Sequence, residues 1–226
     1  MYSLIYRGLI VIVLTFVLNV EVFSQEFDLT EVRRHHYEGF ASLKEVEGQI
    51  FFNEDWVKGK IYFNTEYTVS DVPIKYLVKG GKMLIHHKGE ILAVSNPQTM
   101  DSIIINKHKF IYAQLMYGNN VKYDYMELLG GDEKLQILKY YTCRFIKGRD
   151  VSSYTAPDPD RYVLKKEYYI RRSNGVAELI KVNKKSILQL LADKSENVKT
   201  FVKKNKLKIG KENDLIQIFN YYNGLF

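Results

Sequence analysis

The sequence predicts an α+β protein in which a largely antiparallel, curled β-sheet is followed by a β-hairpin and two or three short helices. Three observations lead to this prediction. Short β-type runs separated by turn residues fill most of residues 48–147, several with apolar side chains at every second position. An Asn-Gly turn signal then stands between two further β-type runs, and the last part of the chain changes to helical spacing. A partial barrel and a sandwich both remain open.

The first 24 residues have the pattern of a secretory signal peptide. Residues 1–7 carry one positive charge, residues 8–20 are apolar apart from Thr15 and Asn19, and Val22-Phe23-Ser24 offers small or compact residues for cleavage. The apolar run is too short to cross a bilayer as a helix. We therefore expect cleavage near Ser24, no transmembrane span in the mature chain, and a location in the periplasm, at the outer membrane or outside the cell.

Composition divides the mature chain into four parts. Residues 25–47 form a polar N-terminal lead, residues 48–147 the antiparallel β domain, residues 148–161 a loop with two prolines, and residues 162–226 the hairpin and the helices. The one cysteine, Cys143, cannot form an internal disulfide, so burial of apolar side chains must hold the fold together.

The strands follow from period-two alternation and from the turns between them. The β domain is predicted to contain strands at residues 56–63, 73–78, 83–85, 91–94, 103–105, 109–112, 121–129 and 135–146. Lysines at alternate positions of the first two strands indicate that one face of the sheet is in water. The hairpin pairs residues 168–171 with 176–182 around Ser173-Asn174-Gly175.

Three helices follow the hairpin. Asn183 is the predicted cap of a helix over residues 184–192, and Ser195 is the predicted cap of the next one. A third helix begins near Glu212 and ends at Asn223-Gly224. Each helix is short, so we expect it to need the sheet or its neighbours for stability.

The order of these segments resembles a family of uncharacterised exported proteins of Bacteroidota-type bacteria. The resemblance rests on the runs VKGKIYF, VPIKYLV, FIY and EYYI, and above all on the terminal block FVKKNKLKIGKENDLIQIFNYYNGL. It covers roughly residues 48–225. The resemblance implies export, and it carries no known activity and no functional residues.

The positive charge of the protein is concentrated near its C-terminus. The whole chain has a net charge of +7, whereas ten lysines and two acidic residues between Lys181 and Lys211 give that segment +8. The candidate contacts for a polyanion or an anionic lipid are Lys199, Lys203, Lys204, Lys206 and Lys208. The other interpretation is that these lysines are the solvated face of docked helices. The segment has no arginine, which argues against bidentate phosphate binding and specific nucleic-acid binding.

Tyrosines supply the second candidate surface. Tyr62, Tyr76, Tyr123 and Tyr125 lie on predicted strands, where their rings could contact a glycan or a protein of the envelope. The alternative is that they form the core and rim of the sheet.

No catalytic, cofactor or metal site is predicted. The chain lacks the motifs HExxH, GxSxG and CxxC, a phosphate-binding glycine loop and a dinucleotide fingerprint. His86-His87 would point to opposite faces of a strand, and Asp150, Asp158 and Asp160 lack calcium-loop spacing. We therefore expect a non-enzymatic envelope protein that acts through protein or glycan contacts. The alternatives are a carrier of a small apolar ligand in the curled sheet, and a hydrolase whose site is assembled from distant residues.

Overall fold

The computed structural model describes residues 35–36, 47–63, 67–148 and 159–226, and it contains one large sheet followed by helices. The strands are β1 (His35–His36), β2 (Glu47–Gly48), β3 (Val57–Phe63), β4 (Thr68–Leu77), β5 (Lys82–His87), β6 (Glu90–Ala93), β7 (Met100–Ile105), β8 (His108–Tyr117), β9 (Asn120–Gly131), β10 (Leu135–Ile146), β11 (Arg161–Arg172) and β12 (Glu178–Ile180). The helices are α1 (Lys184–Leu190), α2 (Ser195–Lys204) and α3 (Glu212–Asn223). The sheet is not closed, and its strands pair antiparallel except for β2, which pairs in parallel with β11. The predicted α+β fold with a curled sheet is confirmed.

The strand order is β1-β6-β5-β4-β3-β7-β8-β9-β10-β11-β12, and β2 pairs in parallel with β11. The segment 47–52 connects two strands that are distant in this order. The amide of Gln49 donates to the carbonyl of Tyr162 on β11 at 3.1 Å, and the amide of Phe52 donates to the carbonyl of Tyr76 on β4 at 3.0 Å. These bonds hold the curl of the sheet.

The main core lies inside this curl. β3 shows the predicted alternation, with Ile61 and Phe63 buried and Lys60 and Tyr62 exposed. Aromatic rings fill the concave side: Phe110 packs against Tyr76, and further ring contacts at 5.0–6.3 Å link Phe52, Tyr76, Phe110, Tyr112, Tyr125 and Tyr141. The protein's own side chains thus occupy this face, where the carrier hypothesis places a ligand.

The end of β4 differs from the half-solvated strand that the sequence predicts. Both faces are buried there, because Leu77 packs with Ile50 and Leu84 on the side that was expected to face water. Lys75 is 9% exposed. Its ammonium group donates to the carbonyl of Glu54 and lies 4.3 Å from the ring centre of Phe51. The cause is the segment 47–52, whose docking the alternation pattern could not reveal.

The helices pack on β9, β10 and β11 through a second core. The side-chain amide of Asn223 on α3 donates to the carbonyl of Leu135 at 2.8 Å, and Asn220 accepts from the amide of Gly131 at 2.8 Å. Asn183 caps α1 as predicted, since its side chain accepts from the amide of Ser186. The predicted cap Ser195 is wrong: Ser195 is the first residue of α2, and the capping position is Lys194, which makes no side-chain capping bond.

Some of the predictions concern residues that the structure does not describe. The predicted signal peptide, residues 1–24, and the loop residues Asp150 and Asp158 lie outside the described residues. Among the helices that the structure describes, none is long and apolar enough to cross a bilayer.

Candidate functional site

A groove of about 580 Å³ lies where α1, α2 and the segment after α2 meet. Its apolar side chains come from Leu188 on α1, Val202 on α2, and Leu207 and Ile209 beyond α2. Its basic side chains are Lys184, Lys199, Lys203, Lys206 and Lys208. We call this feature the lysine-rimmed groove. Its volume lies within the ~300–1,000 Å³ usual for small-molecule sites.

The turn that ends α2 builds one wall of the lysine-rimmed groove. The amide of Lys206 donates to the carbonyl of Lys203 at 3.3 Å, and the amide of Leu207 donates to the carbonyl of Val202 at 3.0 Å. These two bonds define a Schellman motif, which brings the residue after the turn against the last turn of the helix. Leu207 is therefore placed beside Val202, and both face the groove.

Lys206 occupies the left-handed position of this motif, with φ of +54°. Glycine is the usual residue there, because a Cβ atom is unfavourable at positive φ. The chain nevertheless has lysine at this position, and its side chain lines the groove. The amide of the neighbouring Lys208 donates to Asp214 at 2.8 Å, which fixes the returning segment to α3.

The charge around the groove is strongly positive. Glu196 pairs with Lys199 at 2.7 Å, and both side chains are well exposed, so the pair is weak. Asp193 instead accepts from the hydroxyl of Tyr222 on α3 at 2.9 Å. Burial and then this hydrogen bond raise the pKa of Tyr222 to about 12. Asp193, the other acidic residue between Lys181 and Lys211, thus bonds to a residue of α3 and not to a lysine of the groove.

The structure brings together four of the five lysines that the sequence analysis selected. Lys199, Lys203, Lys206 and Lys208 line the groove, whereas Lys204 is exposed on α2 outside the lining. Sequence analysis did not select Lys184 as a contact residue, although it lies at the start of α1. The apolar floor was also not predicted: helical spacing placed Leu188 and Val202 on the docked faces of their helices, and no pattern singled out Leu207 or Ile209.

The four selected tyrosines do not form one surface. Tyr76 and Tyr125 are 1% and 3% exposed and belong to the core inside the curl, so they cannot make the proposed contacts. Tyr62 and Tyr123 are 37% and 49% exposed. Tyr123 stacks on Tyr112, with 5.7 Å between ring centres.

Tyr62 lines a shallow depression of about 300 Å³ on the outer face of β3, β7 and β8. The other residues that line it are Asp101, Ser102, Ile104 and Lys109. It combines an aromatic ring with a carboxylate, a hydroxyl group and an ammonium group.

A buried charged cluster joins α3 to the sheet, and sequence analysis missed it. Lys139 is 3% exposed, and its ammonium donates to Glu127 at 3.0 Å and to Glu212 at 2.8 Å. The hydroxyl of Tyr141 donates to Glu127 at 2.6 Å, and His108 Nδ1 lies 2.5 Å from the other oxygen of Glu127. The available signal was a lysine within the apolar run of β10.

The charged groups of the cluster form hydrogen bonds with one another. Burial alone would raise the pKa of Glu127, but hydrogen bonds with His108, Tyr141 and Lys139 outweigh it and hold this pKa below its ordinary value. Burial, and next the bond to Glu127, raises the pKa of Tyr141. The ammonium group of Lys139 lies between the carboxylates of Glu127 and Glu212 and donates to both. The arrangement suits attachment of α3 to β9 and β10.

The described histidines and aspartates that were considered as metal ligands do not come together. His86 and His87 pair with Ile91 and Glu90 on β6. Asp160 accepts from the amide of Gly148 at 2.6 Å. In the part of the chain that the structure describes, no three His, Cys, Asp or Glu side chains are placed to hold one metal ion.

Comparison of the chain with protein-family models, with curated proteins and with solved structures finds no match. The resemblance to exported proteins therefore stays a prediction.

Proposed function

We propose that the protein is an exported, non-enzymatic protein that binds the anionic lipid surface of the cell envelope through its lysine-rimmed groove. The observation that supports this most is the convergence of five lysines around one apolar depression. Lysine ammonium groups near an anionic membrane each contribute roughly 1 kcal/mol of binding free energy. Five of them supply enough attraction for a peripheral protein.

The backbone conformation of Lys206, one of the five lysines, adds to this support. A residue held in an unfavourable backbone conformation is a reason to look for a function at that position. Lys206 is such a residue, and its side chain contributes to the basic rim.

Vesicle binding tests the proposal. The processed chain, residues 25–226, is mixed with vesicles of phosphatidylglycerol and phosphatidylcholine, and bound protein is measured by flotation at about 50 and 300 mM salt. Binding should be strong at low salt and weak at high salt, because screening shortens the range of the attraction. Vesicles of phosphatidylcholine alone should not bind. Absence of binding to the anionic vesicles at low salt would refute the proposal.

Charge reversals locate the contact. Lys199→Glu combined with Lys203→Glu should lower the affinity at least ~25-fold, from ~1 kcal/mol for each lysine. The matched control reverses two exposed lysines on β3, Lys58 and Lys60, and should change the affinity less than about twofold. Equal losses in both double variants would show that net charge, and not the groove, determines binding.

Export is tested separately. We infer it from the pattern of residues 1–24. Intact mass measurement of the protein from the envelope or periplasmic fraction should give a chain that begins at Gln25. A chain that retains residues 1–24 in the cytoplasm would contradict export.

Saccharide contact at Tyr62 is a second candidate function. The face of a sugar ring packs on an aromatic ring, and its hydroxyl groups bond to groups such as those of Asp101 and Lys109. Titration with neutral trisaccharides, followed by amide chemical shifts, should perturb β3 and β7, and Tyr62→Ala should remove the effect. Tyr123→Ala is the control, since Tyr123 lies outside the depression. If none of the trisaccharides perturbs the amides around Tyr62, the proposed saccharide contact is wrong.

A further inference from the structure

The floor of the lysine-rimmed groove differs in chemistry from its rim. Leu188, Val202, Leu207 and Ile209 provide an aliphatic surface, and ammonium groups stand around it. A head group or a polyanion would engage the lysines and leave this surface without a matching partner. An amphiphile matches both, because its chain is apolar and its head is negative.

We propose that the groove takes up one hydrocarbon chain of an anionic lipid while the lysines hold the head group. This inference rests on the proposed function and adds the ligand class: a lipid that presents a single chain to the protein. The protein then withdraws part of the lipid from the bilayer and does not merely adhere to its surface.

The local construction supports this assignment. The Schellman motif places Leu207 against Val202, and the bond from the amide of Lys208 to Asp214 holds the returning segment in place. Hydrogen bonds donated by backbone amides therefore fix Leu207 and the segment that follows it. Ile209 is 8% exposed, and the other three floor residues are half-buried, so apolar surface remains for a chain to cover. The groove volume is that of a small-molecule site.

A chain-length series is the decisive experiment. Octyl, decyl and dodecyl phosphate are titrated into the processed chain below their critical micelle concentrations, and heat is measured. Full burial of a methylene changes affinity about fourfold and half burial about twofold, so affinity should rise two- to fourfold per methylene until the groove is filled. Dodecyl maltoside, which has the same chain and a neutral head, should bind at least about tenfold more weakly.

Two substitutions that fill the groove localise the chain. Val202→Trp and Leu188→Trp should each weaken dodecyl phosphate binding at least tenfold, with no loss of far-ultraviolet circular dichroism. Both keep the lysines, so salt-dependent vesicle binding should persist. Lys204→Glu is the charge control on α2 outside the lining, and it should change dodecyl phosphate affinity less than about twofold.

The outcomes separate the two proposals. Affinity that does not depend on chain length, or tryptophan variants that bind dodecyl phosphate normally, would overturn chain uptake and leave surface binding intact. An acidic amphipathic peptide that displaces dodecyl phosphate at lower concentration than any alkyl phosphate would also overturn it, in favour of a protein partner. Failure of the wild-type protein to bind anionic vesicles at low salt would instead refute the proposed function.

Discussion

Replacing Lys139 with methionine tests the buried charged cluster directly. The substitution keeps most of the side-chain volume but removes the ammonium group that contacts Glu127 and Glu212 at 3.0 and 2.8 Å. Glu127 then remains as a charged carboxylate that is about 6% exposed. Breaking one partner out of a buried ion pair costs roughly 3–5 kcal/mol. For a chain of this size, that corresponds to a fall in melting temperature of about 6–20 °C.

The assay is urea unfolding at about pH 7, with the free energy of unfolding taken from the midpoint and the slope. Adding Glu127→Gln to Lys139→Met should restore at least ~1 kcal/mol, because it removes a buried charge that has lost its ammonium partner and keeps an amide that can bond to His108 and Tyr141. The matched control is Lys199→Met. It breaks an ion pair of 2.7 Å between exposed side chains, so its cost should stay below ~0.5 kcal/mol.

Two results would refute this reasoning. The first is a loss below ~1 kcal/mol for Lys139→Met, which would mean that water or rearrangement compensates the carboxylates. The second is a double variant no more stable than Lys139→Met alone. That result would show that the ammonium group stabilises the fold by packing and not by pairing with Glu127.

Three further predictions concern the helices and the same carboxylate. Asn183→Ala should lower the free energy of unfolding by ~1 kcal/mol, because α1 loses its cap. Ser195→Ala should lower it by less than ~0.5 kcal/mol, since Ser195 caps nothing. Equal losses of the two variants in thermal unfolding would contradict the structure. Lys206→Gly should raise the free energy of unfolding by roughly 1 kcal/mol through relief of the positive φ, and should weaken vesicle binding; destabilisation would show that the position is not strained. Because the pKa of Glu127 is below 4.5 in the folded chain, its contribution is present above that pH and is lost as the pH falls through the folded pKa. Unfolding free energy between about pH 6 and 3 should therefore fall more steeply in the wild type than in Glu127→Gln, and equal slopes would contradict the assignment.

Features with local causes were predictable from the sequence. β10 has the predicted bounds, Leu135–Ile146, because a long β-type run between turns needs no distant information. Asn183 was identified as a cap because the capping bond joins residues three apart. The hairpin is also confirmed, although its central residues with positive φ are Ser173 and Asn174, one position earlier than an Asn-Gly centre.

Features with distant causes were not predictable. Lys139 bonds to residues 12 and 73 positions away, so its neighbours in the sequence do not reveal its partners. Tyr76 and Tyr125 were possible contact residues with burial as the alternative, and the curl of the sheet, which no local pattern shows, buries both. The groove has the same origin: the lysines were visible in the sequence, but their convergence depends on how α1, α2 and the returning segment are packed.

The placement of β2 has a consequence for how the molecule is assembled. Glu47 and Gly48 lie near the start of the described sheet, yet they pair with Arg161 and Tyr162 on β11, and eight other strands lie between β2 and β11 in the chain. A contact of such high sequence separation requires closure of a long loop, which slows folding. A chain that emerges N-terminus first cannot complete this pairing until β11 has emerged, so the early residues must wait without their partner. The sheet therefore cannot be completed until the later strands are available, and a chain that ends before β11 leaves β2 without its partner strand.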